Sequence, residues 1–311
     1  MGAGTARLIA GAGIPGLQFE PLQLVPAALV AILYARRARA LAGTPRAVPH
    51  WRQWCWYGGI ALIIVTLSSP LASLADDLFS VHMLEHLLIG DLGALLLVLG
   101  LTGPLLAPVL RIGFFDRLRI LTHPLIALPL WALDFYAWHL PALQDAAVNH
   151  EAIHALQHML FIALGATMWM CLFGPLPKPA WFGNGAKLVY IIAVRLIGGV
   201  LGNVFVFGGG HFYTAYAAGE ALRGVSASQD QVAAGAIMMV WESFLTLGLF
   251  CWLFLKAAKE GEERQELLDL AGRHGVALSD ERAARAVAAG RGAELRARIE
   301  AARVASPRPR A

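Results

Sequence analysis

Residues 79–101 read FSVHMLEHLLIGDLGALLLVLGL, an apolar run in which only Glu85 and Asp91 carry a formal charge. An α-helix needs about 20 predominantly apolar residues to cross the hydrocarbon core of a bilayer. Six other segments have this character. The seven predicted spans are residues 20–40, 53–74, 79–101, 121–140, 149–173, 187–208 and 231–256. This pattern predicts an all-α protein, a polytopic bundle of seven transmembrane helices.

The composition of the whole chain agrees with a membrane protein. Of 311 residues, 58% are hydrophobic and 15% are charged, whereas a soluble domain carries about 25% charged residues. The formal net charge is +4, but the basic residues are not gathered on one face, so we expect no nucleic-acid binding. Three cysteines (Cys55, Cys171 and Cys251) are widely spaced and odd in number. They predict no disulfide framework and are expected to act as small packing residues, with an inner Cu(I) thiol site as the alternative.

Arginine and lysine concentrate in alternate loops. They lie in the loops 1–2, 3–4 and 5–6 and directly after span 7. In the loops 2–3, 4–5 and 6–7 the only basic residue is Arg223. Because cytoplasmic loops are rich in these residues, we expect the N-terminus outside and the C-terminus in the cytoplasm of a bacterial inner (cytoplasmic) membrane. We predict a transmembrane domain over residues 1–256. Residues 257–311 are predicted to form a charged cytoplasmic helical tail, interrupted near 272–276 and resumed at a helix cap around Ser279.

Histidines gather at the predicted outer ends of the spans. Side chains four residues apart share one helix face, so span 3 and span 5 each present a row of imidazoles. Two facing rows supply four nitrogen ligands, which suit copper, zinc, iron or nickel. The predicted metal ligands are His82, His86, His154 and His158, and the candidates to complete or feed the site are His150, His139 and His211.

Two methionines directly follow histidines of these rows, Met83 and Met159. Thioether is a soft ligand that favours Cu(I), so both methionines are candidate ligands. Copper, as Cu(I) rather than Cu(II), is the predicted metal, with zinc as the alternative. A hydrogen-bonded polar cluster without metal, or a haem site, also stays open.

Four other charged residues are predicted to lie in or near the membrane. Glu85 lies between two imidazoles and is predicted to interact with the metal ligands without binding the metal itself. Asp134 is predicted either to accept a hydrogen bond from a liganding imidazole or to join two helices. Arg195 and Glu242 fall at comparable depth and are predicted to form a structural ion pair, because unpaired charges are costly inside a bilayer.

Three motifs carry a resemblance to a known family. They are residues 79–86 (FSVHMLEH) with the following GPLL at 103–106, residues 138–161 with the runs WHLPALQDAA and HALQHMLF, and residues 230–238 (DQVAAGAIM). With Phe19-Glu20-Pro21 before the first span, they resemble the CtaG family of cytochrome c oxidase assembly factors, in its caa-type oxidase branch. The resemblance covers about residues 17–256. The family pattern has glutamine where Glu85 stands.

The resemblance implies a non-enzymatic protein that assembles the copper-containing centres of a haem–copper oxidase and helps to deliver the metal. Its expected partners are cytochrome c oxidase subunits, periplasmic copper chaperones and the lipid bilayer. The sequence leaves the oligomeric state open, with a homo-oligomer as one alternative.

Two other functions fit parts of the sequence. The segment His82-Met83-Leu84-Glu85-His86 has the H-x-x-E-H pattern of inverted zinc hydrolases, in which Glu85 is the general base toward a zinc-bound water. This alternative predicts that Glu85→Gln abolishes a hydrolytic activity. A haem-binding membrane cytochrome is the second alternative, because histidines on different helices are able to ligate haem from both sides.

Overall fold

The computed structural model describes residues 21–305, with side chains described as far as residue 302. These residues form helices and turns and contain no strand, so the predicted all-α class is confirmed. The predicted first residue of span 1, the motif residues Phe19 and Glu20, and the last residues of the predicted tail lie outside the described range.

The described helices are numbered here in chain order. They are α1 (Pro21–Leu41), α2 (His50–Ser68), α3 (Pro70–Ala75), α4 (Phe79–Gly100), α5 (Gly103–Leu110), α6 (Gly113–Leu118), α7 (Pro124–Trp138), α8 (Pro141–Asn149), α9 (Glu151–Phe173), α10 (Asn184–Phe207), α11 (Ala217–Arg223), α12 (Ala227–Arg273), α13 (Asp280–Ala288) and α14 (Gly292–Ala305). Within α4 the segment Leu87–Gly93 is π-helical.

Four described helices are long and apolar enough to cross a bilayer, namely α4, α9, α10 and α12. Helix α7 has 15 residues and reaches the required length only together with Gly113–Thr122, from which it is bent by 81°. Helices α1 and α2 have 21 and 19 residues, but polar residues such as Arg36, Arg37 and Arg52 lower their apolarity. The described chain therefore contains four candidate spans, or five with the bent pair, and the predicted count of seven is not reached by this measure.

The chain divides into two compact units. The first comprises the chain as far as Phe182 together with Ile192–Phe244, and the second comprises Gly183–Ile191 and Leu245–Ala311. The second unit has a small core in which Leu267 is fully buried beside Ile299. There the Ser279 hydroxyl accepts a hydrogen bond from the backbone amide of Arg282 and caps α13, as the sequence pattern indicates. The domain boundary at residue 256 stays a prediction.

Two glycines set the distance between α4 and α9 in the first unit. A Cβ atom on Gly165 would overlap with the carbonyl oxygen of Gly90, well inside the 3.0 Å that real Cβ atoms keep, and a Cβ on Gly90 would lie 3.0 Å from the Phe161 Cβ. Small residues of this kind let helix backbones approach closely. The approach lies one turn beyond His86 on α4 and two turns beyond His158 on α9, so it brings the two histidine rows together.

A distant aspartate caps the helix that carries His82. The Asp230 carboxylate, 1% exposed, accepts hydrogen bonds from the backbone amides of Phe79 at 2.6 Å and Ser80 at 3.0 Å. Leu78, at the N-cap position itself, provides no side-chain cap. An anion at a helix N-terminus satisfies amides that have no partner within the helix and interacts favourably with the helix dipole. The start of α12 therefore supports the start of α4.

Charged residues deeper in the first unit are paired. The Asp91 carboxylate accepts hydrogen bonds from the indole nitrogens of Trp169 at 3.1 Å and Trp241 at 2.9 Å. Arg195 Nη1 lies 3.2 Å from Glu242 Oε2. These contacts join α4, α9, α10 and α12 by polar groups whose partners lie within the protein, as a low-dielectric environment requires. All three cysteines are free thiols.

Candidate metal centre

Four imidazoles meet between α4 and α9, and we call them the four-imidazole cluster. The ring centroids of His82 and His154 are 5.2 Å apart, those of His86 and His158 are 5.1 Å apart, and those of His82 and His158 are 6.4 Å apart. Within each helix the two rings are separated by 4.2 Å. The two histidine faces therefore do meet.

Buried nitrogen atoms without hydrogen-bond partners concentrate in this cluster. His82 and His158 are each 1% exposed and His86 is 8% exposed. The Nε2 atom of each of the four rings, and Nδ1 of His86, has no hydrogen-bond partner in the described part of the chain. A buried polar atom without a partner costs about 1–3 kcal/mol. In a neutral ring one of the two His86 nitrogens carries a proton, so at least one of these five atoms is a donor. Five such atoms in one place make this cluster a candidate ligand site.

The spacing of the donors suits a metal ion. Ligand atoms of His82, His86 and His154 all lie within 4.8 Å of one another, and so do those of Glu85, His154 and His158. Nitrogen donors about 2.0–2.1 Å from a zinc-sized ion lie at most about 4.2 Å apart. Three donors spaced evenly around such an ion lie about 3.5 Å apart, so side chains that shift inward by up to roughly 0.7 Å would complete either group around an ion. Imidazole is a good ligand for copper and zinc alike.

Hydrogen bonding orients two of these rings. The Nδ1 atom of His158 lies 2.6 Å from the Gln23 Oε1 atom on α1. The His82 ring lies against the backbone of Ala75, which contributes hydrogen-bonding character to that ring, while its Nε2 atom has no hydrogen-bond partner in the described part of the chain. An oxygen that only accepts places the proton on Nδ1 and leaves the Nε2 lone pair for a metal. Gln23 was not among the predicted site residues, because in the sequence it is only one polar side chain in an apolar stretch.

A buried amide chain continues from the cluster. The Gln157 amide donates to Gln144 Oε1 at 2.9 Å, and the Gln144 amide donates to the Tyr216 hydroxyl at 2.8 Å. The Tyr216 ring lies 5.9 Å from the His82 ring. Burial raises the pKa of the Tyr216 hydroxyl well above its ordinary value, so this group stays protonated. The family motifs contain both glutamines, but sequence alone assigned them no role.

Glu85 lies among the imidazoles and offers its own carboxylate as a donor. It is 2% exposed, and its carboxylate belongs to the donor group with His154 and His158. The cluster therefore has one wholly imidazole side and one side with a carboxylate.

The remaining predicted residues fall in different surroundings. His139 follows α7 and is 8% exposed, and its Nε2 atom lies 3.3 Å from the sulfur atom of the buried Met83. Met159 is 49% exposed, and His150 and His211 are exposed. Among the described residues, His139, His150 and His211 lie outside the two donor groups of imidazole and carboxylate ligands.

Asp134 forms a hydrogen bond with Trp138 of its own helix. It is not the acceptor for the His139 ring, whose Nδ1 atom lies 2.5 Å from the Phe135 carbonyl oxygen. The two roles predicted for Asp134 stay predictions.

The apolar helices place the protein in the class of multi-pass membrane proteins. Residues 32–260 match the family model of the cytochrome c oxidase caa3 assembly factors. The match covers more than half of the chain, so the protein belongs to this family, and the resemblance seen in the sequence motifs is confirmed.

Curated relatives include uncharacterized proteins of Mycobacterium bovis and Mycobacterium tuberculosis. Each is 26% identical over 195 residues, a match that covers 57% of this chain and 29% of the relative. The chain thus spans less than a third of the length of these relatives. No solved structure matches it.

Proposed function

We propose that the protein supports cytochrome c oxidase assembly by holding copper at the four-imidazole cluster and passing it to the copper centres of the oxidase. The observation that carries this proposal is the convergence of four buried Nε2 atoms without hydrogen-bond partners. Copper is here the cargo. A site of neutral imidazoles holds a metal less tightly than a closed site of four thiolates, which favours release to an acceptor.

The proposal includes a membrane topology. With seven spans, including α1, α2 and the bent α7, and basic loops in the cytoplasm, the four-imidazole cluster lies toward the outer side of a bacterial inner membrane. Periplasmic copper chaperones are the proposed donors and cytochrome c oxidase subunits the proposed acceptors. The protein has no catalytic role in this scheme, and self-association into a homo-oligomer is compatible with it.

Loading the purified protein with Cu(I) under anaerobic conditions tests the proposal. We expect retained copper after desalting, measured by elemental analysis, and loss of that copper in the variant His82→Ala/His86→Ala/His154→Ala/His158→Ala. The matched control is His150→Ala/His211→Ala, which removes two exposed imidazoles and should retain wild-type copper. If the wild-type protein holds no more Cu(I) than the fourfold variant, the proposal is wrong.

The position of Glu85 favours one second candidate, a zinc hydrolase. A buried carboxylate beside His154 and His158 is placed as a general base toward a metal-bound water would be. This candidate requires the carboxylate itself, whereas copper delivery requires the imidazoles.

Glu85→Gln separates the two candidates. The amide keeps the size of the side chain and is the residue that the family pattern has at this position. For copper delivery we expect Glu85→Gln to retain Cu(I), unlike the fourfold histidine variant, and oxidase activity in membranes of a complemented deletion strain to be retained. One equivalent of zinc in the isolated protein, together with loss of function in Glu85→Gln, would instead support the hydrolase.

A further inference from the structure

We propose that Met83 and His139 form a second Cu(I) position beside the four-imidazole cluster. The inference rests on the proposed function and deepens it by assigning a soft thioether–imidazole pair to the copper path. The two side chains come from different elements, since Met83 lies on α4 and His139 directly follows α7. Their facing atoms, Sδ and Nε2, are 3.3 Å apart.

The contact joins two atoms that both accept hydrogen bonds. The Phe135 carbonyl oxygen only accepts, so its 2.5 Å contact with His139 Nδ1 places a proton on Nδ1. In the neutral ring Nε2 then carries a lone pair. A thioether sulfur has no proton to donate. The Nε2–Sδ contact therefore directs two lone pairs at each other, an arrangement that a soft cation bound to both atoms would stabilise.

The surrounding structure holds the pair in place and keeps water away. Met83 is 2% exposed and His139 is 8% exposed. The Tyr213 hydroxyl donates to the backbone carbonyl of His139 at 2.7 Å, and the Phe135 ring packs 4.8 Å from the imidazole ring. Because side chain and backbone are both anchored, the two lone pairs cannot simply turn toward solvent.

The separation fits an ion with more than two ligands. With metal bonds of about 2.0 Å to nitrogen and about 2.3 Å to sulfur, atoms 3.3 Å apart subtend roughly 100° at the ion. Such an angle leaves room for a third ligand. The rings of His86 and His139 both face Phe161, with centroid distances of 4.7 and 6.3 Å, so the second position lies beside the four-imidazole cluster.

The chemistry of the pair selects a soft monovalent ion. Thioether is a ligand that Cu(I) accepts well, whereas zinc sites are built from imidazole, thiolate and carboxylate. Both donors here are neutral. The pair would therefore favour Cu(I) over zinc. The four-imidazole cluster with its carboxylate discriminates only weakly between these two metals.

X-ray absorption at the copper edge of the Cu(I)-loaded protein tests this assignment. We expect sulfur scattering at about 2.3 Å in the wild-type protein and its loss in Met83→Leu. The matched control is Met159→Leu, since Met159 also follows a histidine but is half-exposed, and this variant should keep the sulfur signal. In competition with a chelator, Met83→Leu should lower Cu(I) affinity by about tenfold or more and leave zinc affinity unchanged.

Selenomethionine labelling provides a test that needs no substitution. In the labelled wild-type protein a copper–selenium distance should replace the copper–sulfur one, whether or not Met83→Leu folds. This inference is overturned if the Cu(I)-loaded wild-type protein shows only nitrogen and oxygen scattering, or if Met83→Leu keeps an unchanged sulfur signal. Neither result contradicts copper binding at the four-imidazole cluster. Absence of any Cu(I) binding overturns the proposed function, and this inference with it.

Discussion

Replacing Gly165 by valine is expected to abolish copper binding at the four-imidazole cluster, although none of the imidazoles is altered. Even the Cβ atom would overlap with the Gly90 carbonyl oxygen, which belongs to the backbone and cannot rotate away. Helices α4 and α9 must then separate, and the donors of the cluster separate with them. Overpacking of this kind costs about 1–3 kcal/mol, so we also expect a lower free energy of unfolding.

The measurement is Cu(I) retention together with the midpoint of thermal unfolding in detergent. Gly58→Ala on α2 is the control, because nothing lies within 4 Å of its added Cβ atom. It should keep wild-type copper and gain up to about 1 kcal/mol from helix propensity. Wild-type copper binding and stability in Gly165→Val would show that the close approach of α4 and α9 is not needed.

Asp230→Ala is expected to lower the free energy of unfolding by about 2–3 kcal/mol and to weaken copper binding. It leaves the amides of Phe79 and Ser80 without their acceptor in a buried place, and loss of a helix cap alone costs up to about 2 kcal/mol. Hydrogen bonds to a charged group are worth about 1.5–3 kcal/mol. His82 lies one turn inside the frayed end, so its position becomes less defined.

Amide hydrogen exchange at Phe79 and Ser80, with thermal unfolding, measures this effect. Asp230→Asn retains one acceptor oxygen and should be intermediate. The control is Asp116→Ala, which removes a half-exposed ion pair with Arg119 and should change stability by less than about 0.5 kcal/mol. Equal destabilisation by Asp230→Ala and Asp116→Ala would contradict the capping role.

Local spacing predicted the histidine rows well. The four-residue interval between His82 and His86, and between His154 and His158, follows from helix geometry alone, and it placed each pair on one face before any packing was known. The same geometry predicted the cap at Ser279, because a helix cap depends on residues close in sequence.

Non-local contacts were beyond the reach of the sequence. Met83 and Met159 each follow a histidine, yet one is buried and the other half-exposed, because the neighbours of α4 and α9 differ. Gln23 and Asp230 reach their partners over separations of 135 and about 150 residues. In the sequence, Gln23 is an amide in an apolar stretch and Asp230 is an acid at the start of a helix. Each of these patterns is compatible with several other functions.

The span count shows a different limit. Residues 121–140 are apolar in composition. The helix is nevertheless interrupted at His123 and Pro124, and α7 begins only at Pro124. A sliding pattern of apolar residues does not register an 81° bend. Bends of this kind depend on where proline interrupts the backbone and on what packs against it.

The cap supplied by Asp230 also has a consequence for the order of events during synthesis. The first turn of α4 leaves the ribosome about 150 residues before the carboxylate that completes it. At about 5–20 residues per second this delay lasts roughly 8–30 s. During that interval His82 stands in an uncapped turn, so we expect the nascent chain to reach its full metal affinity only after Asp230 has been added.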